Sequence, residues 1–409
     1  MLVDPLLATA ATVVSTITVD QAVSPSRMVF DERTGHLFVA TIPNIPSGST
    51  LSWVTMINVR SGKVLRHISV GLGLPRLAFD PRIDRVYVTG LIKLPTMGRP
   101  PLPRTPPRAA ALVVALDGVT GSIVGTAQVG SQGNGIAVDA GLDHLFVASG
   151  GGGGCMNKRC YTDPSILTML DARTLKTLAV TPVGNSPQDD LLVDDRNGRV
   201  YVSTTAGIDV LDTRTAKRLS RIPLAGKVLA VDDPANRVFL ADNTGDLLLL
   251  DGRTSQVLAV LPISLTFGFA LPGATFAVDQ RTGHLLYAAA QGRGQHGGPS
   301  GPVRLYEADG VTGHVLHRCL ITAHPTAVAP APQRGLVIVA DSGTDTATVI
   351  RMADCGAMLR VHVTPTPSNI AVDEPNNLMA IESNTPRPPT RASGGSFPST
   401  NTTLTIETP

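Results

Sequence analysis

An apolar triplet that usually ends in aspartate recurs along the whole chain. The copies are Met28-Val-Phe-Asp31, Leu77-Ala-Phe-Asp80, Ile136-Ala-Val-Asp139, Leu191-Leu-Val-Asp194, Leu229-Ala-Val-Asp232, Phe276-Ala-Val-Asp279, the degenerate Ala327-Val-Ala-Pro330 and Ile370-Ala-Val-Asp373. Successive copies lie 49, 59, 55, 38, 47, 51 and 43 residues apart. Self-similarity at such a period is the mark of a repeat protein, in which each copy is one supersecondary unit.

Each copy continues into a pattern typical of short antiparallel strands. A run of strong β-formers follows, such as Arg85-Val-Tyr-Val-Thr89, and then a third run, such as Leu247-Leu-Leu-Leu250. The third run ends in a turn such as Asp251-Gly-Arg-Thr254, in which aspartate can accept backbone hydrogen bonds. A fourth run, such as Val64 to Val70, leads to the next copy. Four antiparallel strands per repeat predict an all-β protein of the β-propeller class.

The two ends of the chain carry complementary fragments of a repeat. Val13 to Val19 resembles a fourth strand without the first three, and Thr402 to Glu407 resembles a third strand without a fourth. We therefore predict one domain over residues 1–409, with repeats beginning near 27, 76, 135, 190, 228, 275, 326 and 369. The favoured count is eight four-stranded blades, with residues 1–20 as a closing strand in the last blade. Seven blades is the alternative if the repeat near Ala327 or Leu191 is not a true blade.

Charge and hydropathy exclude some partners. The net charge is +2 and 16% of residues are charged, so neither nucleic acid nor an anionic membrane is an expected partner. Val257 to Val278 has no charged residue and is long enough to span a bilayer, but prolines and glycines interrupt it in register with the repeat. We predict strands there and no membrane insertion. Residues 1–17 contain no Lys or Arg, so no secretory signal is expected in this chain.

The four cysteines favour disulfides. Cys155 and Cys160 bracket four residues in a glycine-rich loop, and without a second Cys or His pair nearby they fall short of a zinc framework. Cys319 and Cys355, in neighbouring repeats, are expected to form a second bridge, although a buried thiol is nearly as compatible with each. A single bridge would indicate an oxidising compartment.

The run from Pro75 to Gly90 resembles the YVTN repeat family of bacterial and archaeal β-propellers, and the resemblance covers essentially the whole chain. It implies the propeller fold and an extracellular, periplasmic or cell-surface location, but no activity, because the family motif is structural. The wider superfamily is similar to the propellers of quinoprotein amine dehydrogenases. The tryptophan-rich blade signature of quinone-dependent alcohol dehydrogenases is absent, since Trp53 is the only tryptophan.

Long connections predict where binding occurs. Those between second and third strands include residues 41–52, 90–111, 149–166, 289–302 and 383–401, all on one face of the predicted ring. Residues just before the first strands should line the mouth of the central channel on that face. We predict a binding site there, formed by Arg27, Arg76, Asn134, Gln188, Asp189, Asp190, Lys227, His324 and Asn369.

Catalytic chemistry has little support in the sequence. His36, His144 and His284 begin the second strand of three repeats, which indicates repeat geometry and not a ligand cluster. His324 is the histidine best placed for general-base work. No catalytic residue, metal site or cofactor is assigned. We expect a binding module for a protein, glycan or small-molecule ligand; the alternatives are an enzyme at the channel mouth, such as a lyase, lactonase or oxidoreductase, and a structural assembly unit.

Overall fold

The computed structural model confirms an all-β β-propeller. It describes residues 13–19, 22–43, 52–92, 110–150, 153–156, 159–162, 164–185, 187, 191–264, 276–293, 299–321, 325–331, 335–341, 346–362, 367–373, 378–386 and 400–407.

The first four blades follow one another along the chain after strand β1 (Val13–Val19). Blade 1 contains β2 (Ala22–Asp31), β3 (His36–Pro43), β4 (Trp53–Asn58) and β5 (Lys63–Ser69). Blade 2 contains β6 (Gly73–Asp80), β7 (Arg85–Ile92), β8 (Ala110–Asp117) and β9 (Ile123–Gln128). Blade 3 contains β10 (Gln132–Asp139), β11 (His144–Gly150), β14 (Ile166–Asp171) and β15 (Thr177–Pro182), with the separate hairpin β12 (Gly153–Met156) and β13 (Arg159–Thr162) inserted. Blade 4 contains β16 (Leu191–Asp194), β17 (Arg199–Thr204), β18 (Gly207–Asp212) and β19 (Arg218–Ile222).

Three more blades repeat the pattern. Blade 5 contains β20 (Gly226–Asp232), β21 (Arg237–Asp242), β22 (Asp246–Asp251) and β23 (Val257–Ser264). Blade 6 contains β24 (Phe276–Asp279), β25 (His284–Arg293), β26 (Pro299–Asp309) and β27 (Val315–Leu320). Blade 7 contains β28 (Pro325–Ala331), β29 (Leu336–Asp341), β30 (Thr346–Arg351) and β31 (Gly356–His362).

The prediction of eight blades is wrong. In the described part of the chain, seven blades are each formed by four consecutive strands. The eighth repeat supplies only β32 (Pro367–Asp373), β33 (Leu378–Pro386) and β34 (Thr400–Glu407). The prediction is therefore corrected to seven contiguous blades and one composite sheet, in which β1 pairs antiparallel with β34. The predicted closing strand over residues 1–20 is not supported: β1 spans only Val13–Val19, and residues 1–12 and 20 lie outside the described residues.

The blades form a ring with their first strands innermost. Each of these strands, from β2 to β32, contacts the first strands of the two neighbouring sheets. Successive side chains of a strand point to opposite faces, so each blade packs on both neighbours. In β7, Val86 and Val88 pack toward blade 1, while Tyr87 packs toward blade 3. The core is thus a series of apolar seams between blades.

The two ends of the ring differ in their connections. The turn face carries the first-to-second and third-to-fourth connections, which are four or five residues long between the strand ends. The loop face carries the second-to-third connections and those between blades. The uncharged segment of residues 257–278 contains β23 at its start and most of β24 at its end. In the described part of the chain, no helix has the length and apolar run that a membrane crossing needs.

Aspartate fixes the turns of the turn face. In the third-to-fourth turn of blade 5, Asp251 Oδ1 accepts hydrogen bonds from the backbone N–H of Arg253 (3.0 Å) and from the N–H (2.7 Å) and Oγ1 (2.9 Å) of Thr254. The same three contacts recur at Asp117, Asp171, Asp212 and Asp309. The residue four positions after the aspartate has positive φ, as at Gly121 (67°) and Ser255 (60°). These turns are therefore specified locally, as the sequence predicted.

A disulfide joins two blades. Cys319 of β27 is bonded to Cys355, which lies in the turn between β30 and β31, with Cα atoms 5.2 Å apart. The bond confirms the predicted bridge between these neighbouring repeats. It crosses the seam between blades 6 and 7, where Cys319 is buried and Cys355 is exposed.

Candidate functional site

The inner strands place several of the predicted binding residues at the loop-face end of the ring. Arg76 lies on β6 opposite Thr89, and its guanidinium donates a 3.4 Å hydrogen bond to the carbonyl of Pro75. Asn134 lies on β10, where Nδ2 donates to the carbonyl of Pro187 (2.8 Å). Lys227 occupies the corresponding part of β20. These polar side chains are half-buried, as expected for residues at the end of an inner strand.

The other predicted binding residues are described only in part. Arg27 is on β2 opposite Ala40, and Asn369 is on β32 opposite Glu382, so the backbone places both at the same end of their strands. Gln188, Asp189, Asp190 and His324 lie outside the described residues. Convergence of the predicted residues into one site therefore remains a prediction.

The second-to-third connections vary with position around the ring. Between strand ends they are residues 387–399 in the composite sheet, 44–52 in blade 1, 93–109 in blade 2 and 151–165 in blade 3. In blades 4 to 7 they shrink to residues 205–206, 243–245, 294–298 and 342–345. The long connections thus belong to four adjacent sheets. We call the loop-face ends of these sheets the long-loop half.

Short connections leave no comparable variety on the turn face. Many side chains there form hydrogen bonds between neighbouring blades. Arg82, for example, donates to the carbonyls of Ala140 (2.7 Å) and Gly141 (3.1 Å) in the next blade. His36 Nδ1 donates to the carbonyl of Gly118 (3.0 Å), and His144 Nδ1 to that of Thr213 (2.8 Å), also in the next blade. These two histidines occupy equivalent positions and make the same contact between blades, as the repeat pattern of the sequence indicated.

The turn face is also rich in aspartate. Aspartates that end the first strands, including Asp80, Asp194 and Asp232, are fully buried and accept backbone hydrogen bonds from their turns. Partial burial, together with the nearby carboxylates of Asp139 and Asp233, raises the pKa of Asp195 to about 6. Among the described residues, however, no group of three His, Cys, Asp or Glu side chains could hold a metal ion. The sequence analysis identified the repeated aspartates but not the raised pKa of Asp195.

Blade 6 contains a polar cluster that sequence analysis missed. Glu307 of β26 accepts hydrogen bonds from Nδ1 of His284 (2.6 Å) and Nδ1 of His317 (2.9 Å), one on each carboxylate oxygen. At the position of Glu307, the other contiguous blades have buried apolar residues: Met56, Ala115, Met169, Val210, Leu249 and Val349. Comparing the repeats position by position would have revealed this charge in an apolar column.

The inserted hairpin of blade 3 brings the other two cysteines opposite one another. Cys155 of β12 and Cys160 of β13 are Cα partners in its ladder. The backbone register is compatible with the predicted bond, which remains a prediction.

Comparisons with known proteins show the fold. No family model matches the chain, and no curated protein matches it. BamB from Moraxella catarrhalis has a similar structure, with 15% identity, a TM-score of 0.57, and coverage of 97% of this chain and 98% of that one. Quinohemoprotein alcohol dehydrogenase from Comamonas testosteroni has 12% identity, a TM-score of 0.62, and coverage of 98% and 77%. Sqt1 from Saccharomyces cerevisiae has 9% identity, a TM-score of 0.62, and coverage of 98% and 100%.

These similarities do not extend the YVTN resemblance to membership of that family. At such identities the shared property is the ring of four-stranded sheets, which unrelated functions use. The chain is therefore similar in fold to BamB and to quinohemoprotein alcohol dehydrogenase, and that fold is a β-propeller.

Proposed function

We propose that this protein is an exported or cell-surface binding module whose partner binds on the loop face. The observation that carries the proposal is the difference between the two faces. Connections of the turn face are four or five residues long, and their polar groups are used within turns and seams. Connections of the loop face reach the length of residues 93–109. Long connections on a rigid scaffold are the usual place for binding sites.

The location is supported by the Cys319–Cys355 disulfide. Disulfides persist in oxidising compartments and are rare in the cytosol. The similarity to BamB adds a propeller neighbour, but at 15% identity it carries only the fold.

The test needs a variant that removes a long connection without disturbing its blade. Ile92 and Ala110 are directly paired at the ends of β7 and β8, so an Asn-Gly type I′ turn can replace residues 93–109. A matched turn-face variant carries Val119→Ser and Val311→Ser at side chains that are 50% and 47% exposed. Both variants and the parent protein are applied to one array of neutral and acidic polysaccharides, peptides and small metabolites.

Binding that the Asn-Gly variant loses and the turn-face variant retains would support the proposal. Binding lost only by the turn-face variant would overturn it. Mass spectrometry of the bound compound supplies a further outcome, because chemical conversion would identify the protein as an enzyme. Absence of any binder on the array would favour a structural assembly unit.

A further inference from the structure

We propose that the Cys319–Cys355 disulfide is a redox latch: a dithiol reductant opens it in the folded protein, and its reduction allows blade 7 to separate locally from blade 6. The inference goes beyond the proposed function and does not depend on the partner of the loop face. It rests on the unequal exposure of the two cysteines, on the contacts that other seams make at the same positions, and on the anchoring of the turn that contains Cys355.

The two cysteines are unequally exposed. Cys319 of β27 is 2% exposed and belongs to the apolar cluster between blades 6 and 7, whereas Cys355 lies in an exposed turn. A thiolate must reach the sulfur that it attacks, so a reductant approaches the bond through Sγ of Cys355. Exposed disulfides are the labile and regulatory ones, whereas buried structural disulfides resist reduction.

Reduction proceeds by two thiol–disulfide exchanges. One thiolate of the dithiol forms a bond to Sγ of Cys355, the bond between the cysteines breaks, and its electron pair goes to Sγ of Cys319, which takes up a proton. The second thiolate of the dithiol then attacks the dithiol sulfur of this mixed disulfide and releases Cys355, which is protonated in turn. The dithiol leaves as a disulfide, and the protein gains two electrons and carries two thiols.

Another seam closes at the same two positions without a covalent bond. Thr181 of β15 occupies the position of Cys319, because each pairs with a leucine four residues before the end of the third strand. Ala216 occupies the position of Cys355, four residues after the third strand ends, and both have a φ of 55°. Thr181 Oγ1 donates a 2.7 Å hydrogen bond to the carbonyl of Ala216. The covalent bond is therefore not required by the geometry of a seam, and it makes this seam sensitive to reductants.

The disulfide also reaches the turn that other seams contact by hydrogen bonding. His36 and His144, which begin second strands, donate from Nδ1 to a carbonyl in the third-to-fourth turn of the next blade (3.0 and 2.8 Å). His284 begins β25 at the same position, but its Nδ1 donates to Glu307 within blade 6 (2.6 Å). The corresponding turn of blade 7 contains Cys355. The disulfide thus links blade 6 to the turn toward which this Nδ1 does not donate.

The turn that contains Cys355 lacks the aspartate found in other blades. In blade 4, Asp212 Oδ1 accepts hydrogen bonds from two backbone N–H groups of the turn (3.0 and 2.8 Å). Arg351 occupies this position in blade 7, and a guanidinium cannot accept hydrogen bonds. Within the turn, Asp354 accepts a 2.9 Å bond from the N–H of Gly356. Because the aspartate contacts are missing, we expect the turn to depend on its link to β27.

Polar side chains lie beside the bond on the same face of blade 6. Glu307 pairs with His317, next to the pair of Leu305 with Cys319 and closer to the turn face. The His317 side chain is 42% exposed, and its Nδ1 donates to Glu307. Water that enters the seam can form hydrogen bonds with these groups, which lowers the cost of opening relative to an apolar seam. Local separation of the blades is therefore expected to begin here once the bond is reduced.

The experiment uses the full oxidised chain at neutral pH, with increasing concentrations of dithiothreitol and no denaturant. Free thiols are alkylated with N-ethylmaleimide, and the remaining ones with its deuterated form after denaturation and reduction, so that peptide mass spectrometry reports on each cysteine separately. We expect Cys319 and Cys355 to become free together, at a rate proportional to the dithiothreitol concentration. A rate independent of that concentration and equal to the rate of global unfolding would overturn the inference, because the bond would then open only in the unfolded chain.

Hydrogen exchange measures the consequence of reduction. Amides of β29, β30 and β31 should exchange at least about tenfold faster in the reduced protein, while amides of blade 3 change by less than about twofold. Re-oxidation should restore the original rates. Unchanged protection of blade 7 after reduction of this disulfide would also overturn the inference.

A matched variant, Cys319→Thr with Cys355→Ala, copies the noncovalent contact of Thr181 with Ala216 and retains Cys155 and Cys160. Exchange in its blade 7 should differ by less than about twofold with and without dithiothreitol. An increase caused by dithiothreitol in this variant would show that the reductant acts elsewhere in the chain, and the latch would be refuted.

Discussion

Removal of the Cys319–Cys355 disulfide should loosen blade 7 selectively. Blade 7 lacks both aspartates that fix the turns of other blades. Ala331, which pairs with Leu336, replaces the one that ends the first strand, so the repeat pattern that placed Pro330 there was wrong by one residue. Arg351 replaces the one that ends the third strand. In blade 5, each of these aspartates accepts backbone hydrogen bonds within its own turn. The bond from β27 to the turn at Cys355 lies at the position where those local contacts are missing.

The magnitude follows from the chain between the cysteines. A cross-link between residues 36 positions apart removes conformational entropy from the unfolded chain worth about 4 kcal/mol at 25 °C in the loop-closure model. Cys355 has a φ of 55°, a conformation in which a non-glycine residue costs about 1 kcal/mol. Cys319→Ala with Cys355→Ala should therefore lose about 4 kcal/mol. Cys319→Ala with Cys355→Gly should recover about 1 kcal/mol of that loss.

Hydrogen exchange measures the effect where it is expected. Amides of β29, β30 and β31 should exchange faster in both variants, while amides of blade 3 should be unchanged. Urea unfolding followed by circular dichroism gives the accompanying change in midpoint, with the oxidised parent protein as reference. Loss of protection spread equally over all blades, or a change below about 1 kcal/mol, would refute this account of the disulfide.

Three further substitutions test individual contacts. Asp251→Ala should cost about 1 to 2 kcal/mol in urea unfolding at pH 7, whereas Asp251→Asn should cost less because blade 1 uses Asn58 at this position. Hydrogen bonds from Thr254 lower the pKa of Asp251. The stabilisation by the Asp251 carboxylate is therefore complete above the pKa of the unfolded state and is lost as the pH falls through the lowered pKa of the folded state. Equal stability of Asp251→Ala and the parent at pH 7 would contradict this stabilisation. Asp195→Asn should raise the free energy of unfolding by about 1 kcal/mol at pH 8 and leave it unchanged at pH 3. The pKa of Asp195 is raised to about 6 in the folded state, so the ionised carboxylate destabilises the fold as the pH rises toward that value. An equal gain at both pH values would contradict this sign. Glu307→Val should be neutral or stabilising within about 1 kcal/mol, and Glu307→Ala should be destabilising by more; a severe loss in Glu307→Val would show that the two histidines require the carboxylate.

Much of the fold could be predicted because its determinants are local and repeated. The turn at Asp251 uses a carboxylate and a threonine three residues later, so one short phrase specifies it and recurs in blade after blade. Alternation in strands such as β7 likewise follows from period-two patterning, since both faces of a blade meet a neighbour. The composite sheet differs because its fourth strand is distant in sequence, and the repeat pattern, which predicted eight blades, did not distinguish this sheet from the seven blades formed by four consecutive strands.

Contacts between blades were predictable only in part. The pairing of Cys319 with Cys355 could be anticipated from their places in neighbouring repeats, but not the seam that the bond crosses. The hydrogen bonds from His284 and His317 to Glu307 depend on three strands lying side by side, and no local pattern relates residues so far apart. Gln188, Asp189, Asp190 and His324 were predicted from their position before a first strand, and their role stays a prediction.

The same reasoning explains why function is harder to infer here than fold. Repeated positions are constrained by the geometry of the ring, so their chemistry describes packing: Tyr87, for example, is buried and donates a 2.6 Å hydrogen bond to the carbonyl of Ala172 in the next blade. Information about a partner must instead lie in what differs between repeats. The largest differences between repeats are the lengths and charges of the connections between second and third strands. The longest of these connections belong to the composite sheet and to blades 1 to 3, whereas blades 4 to 7 have connections of two to five residues. If a partner binds through the long connections, as we propose, the binding residues should lie in the composite sheet and blades 1 to 3, and substitutions confined to blades 4 to 7 should leave its affinity unchanged.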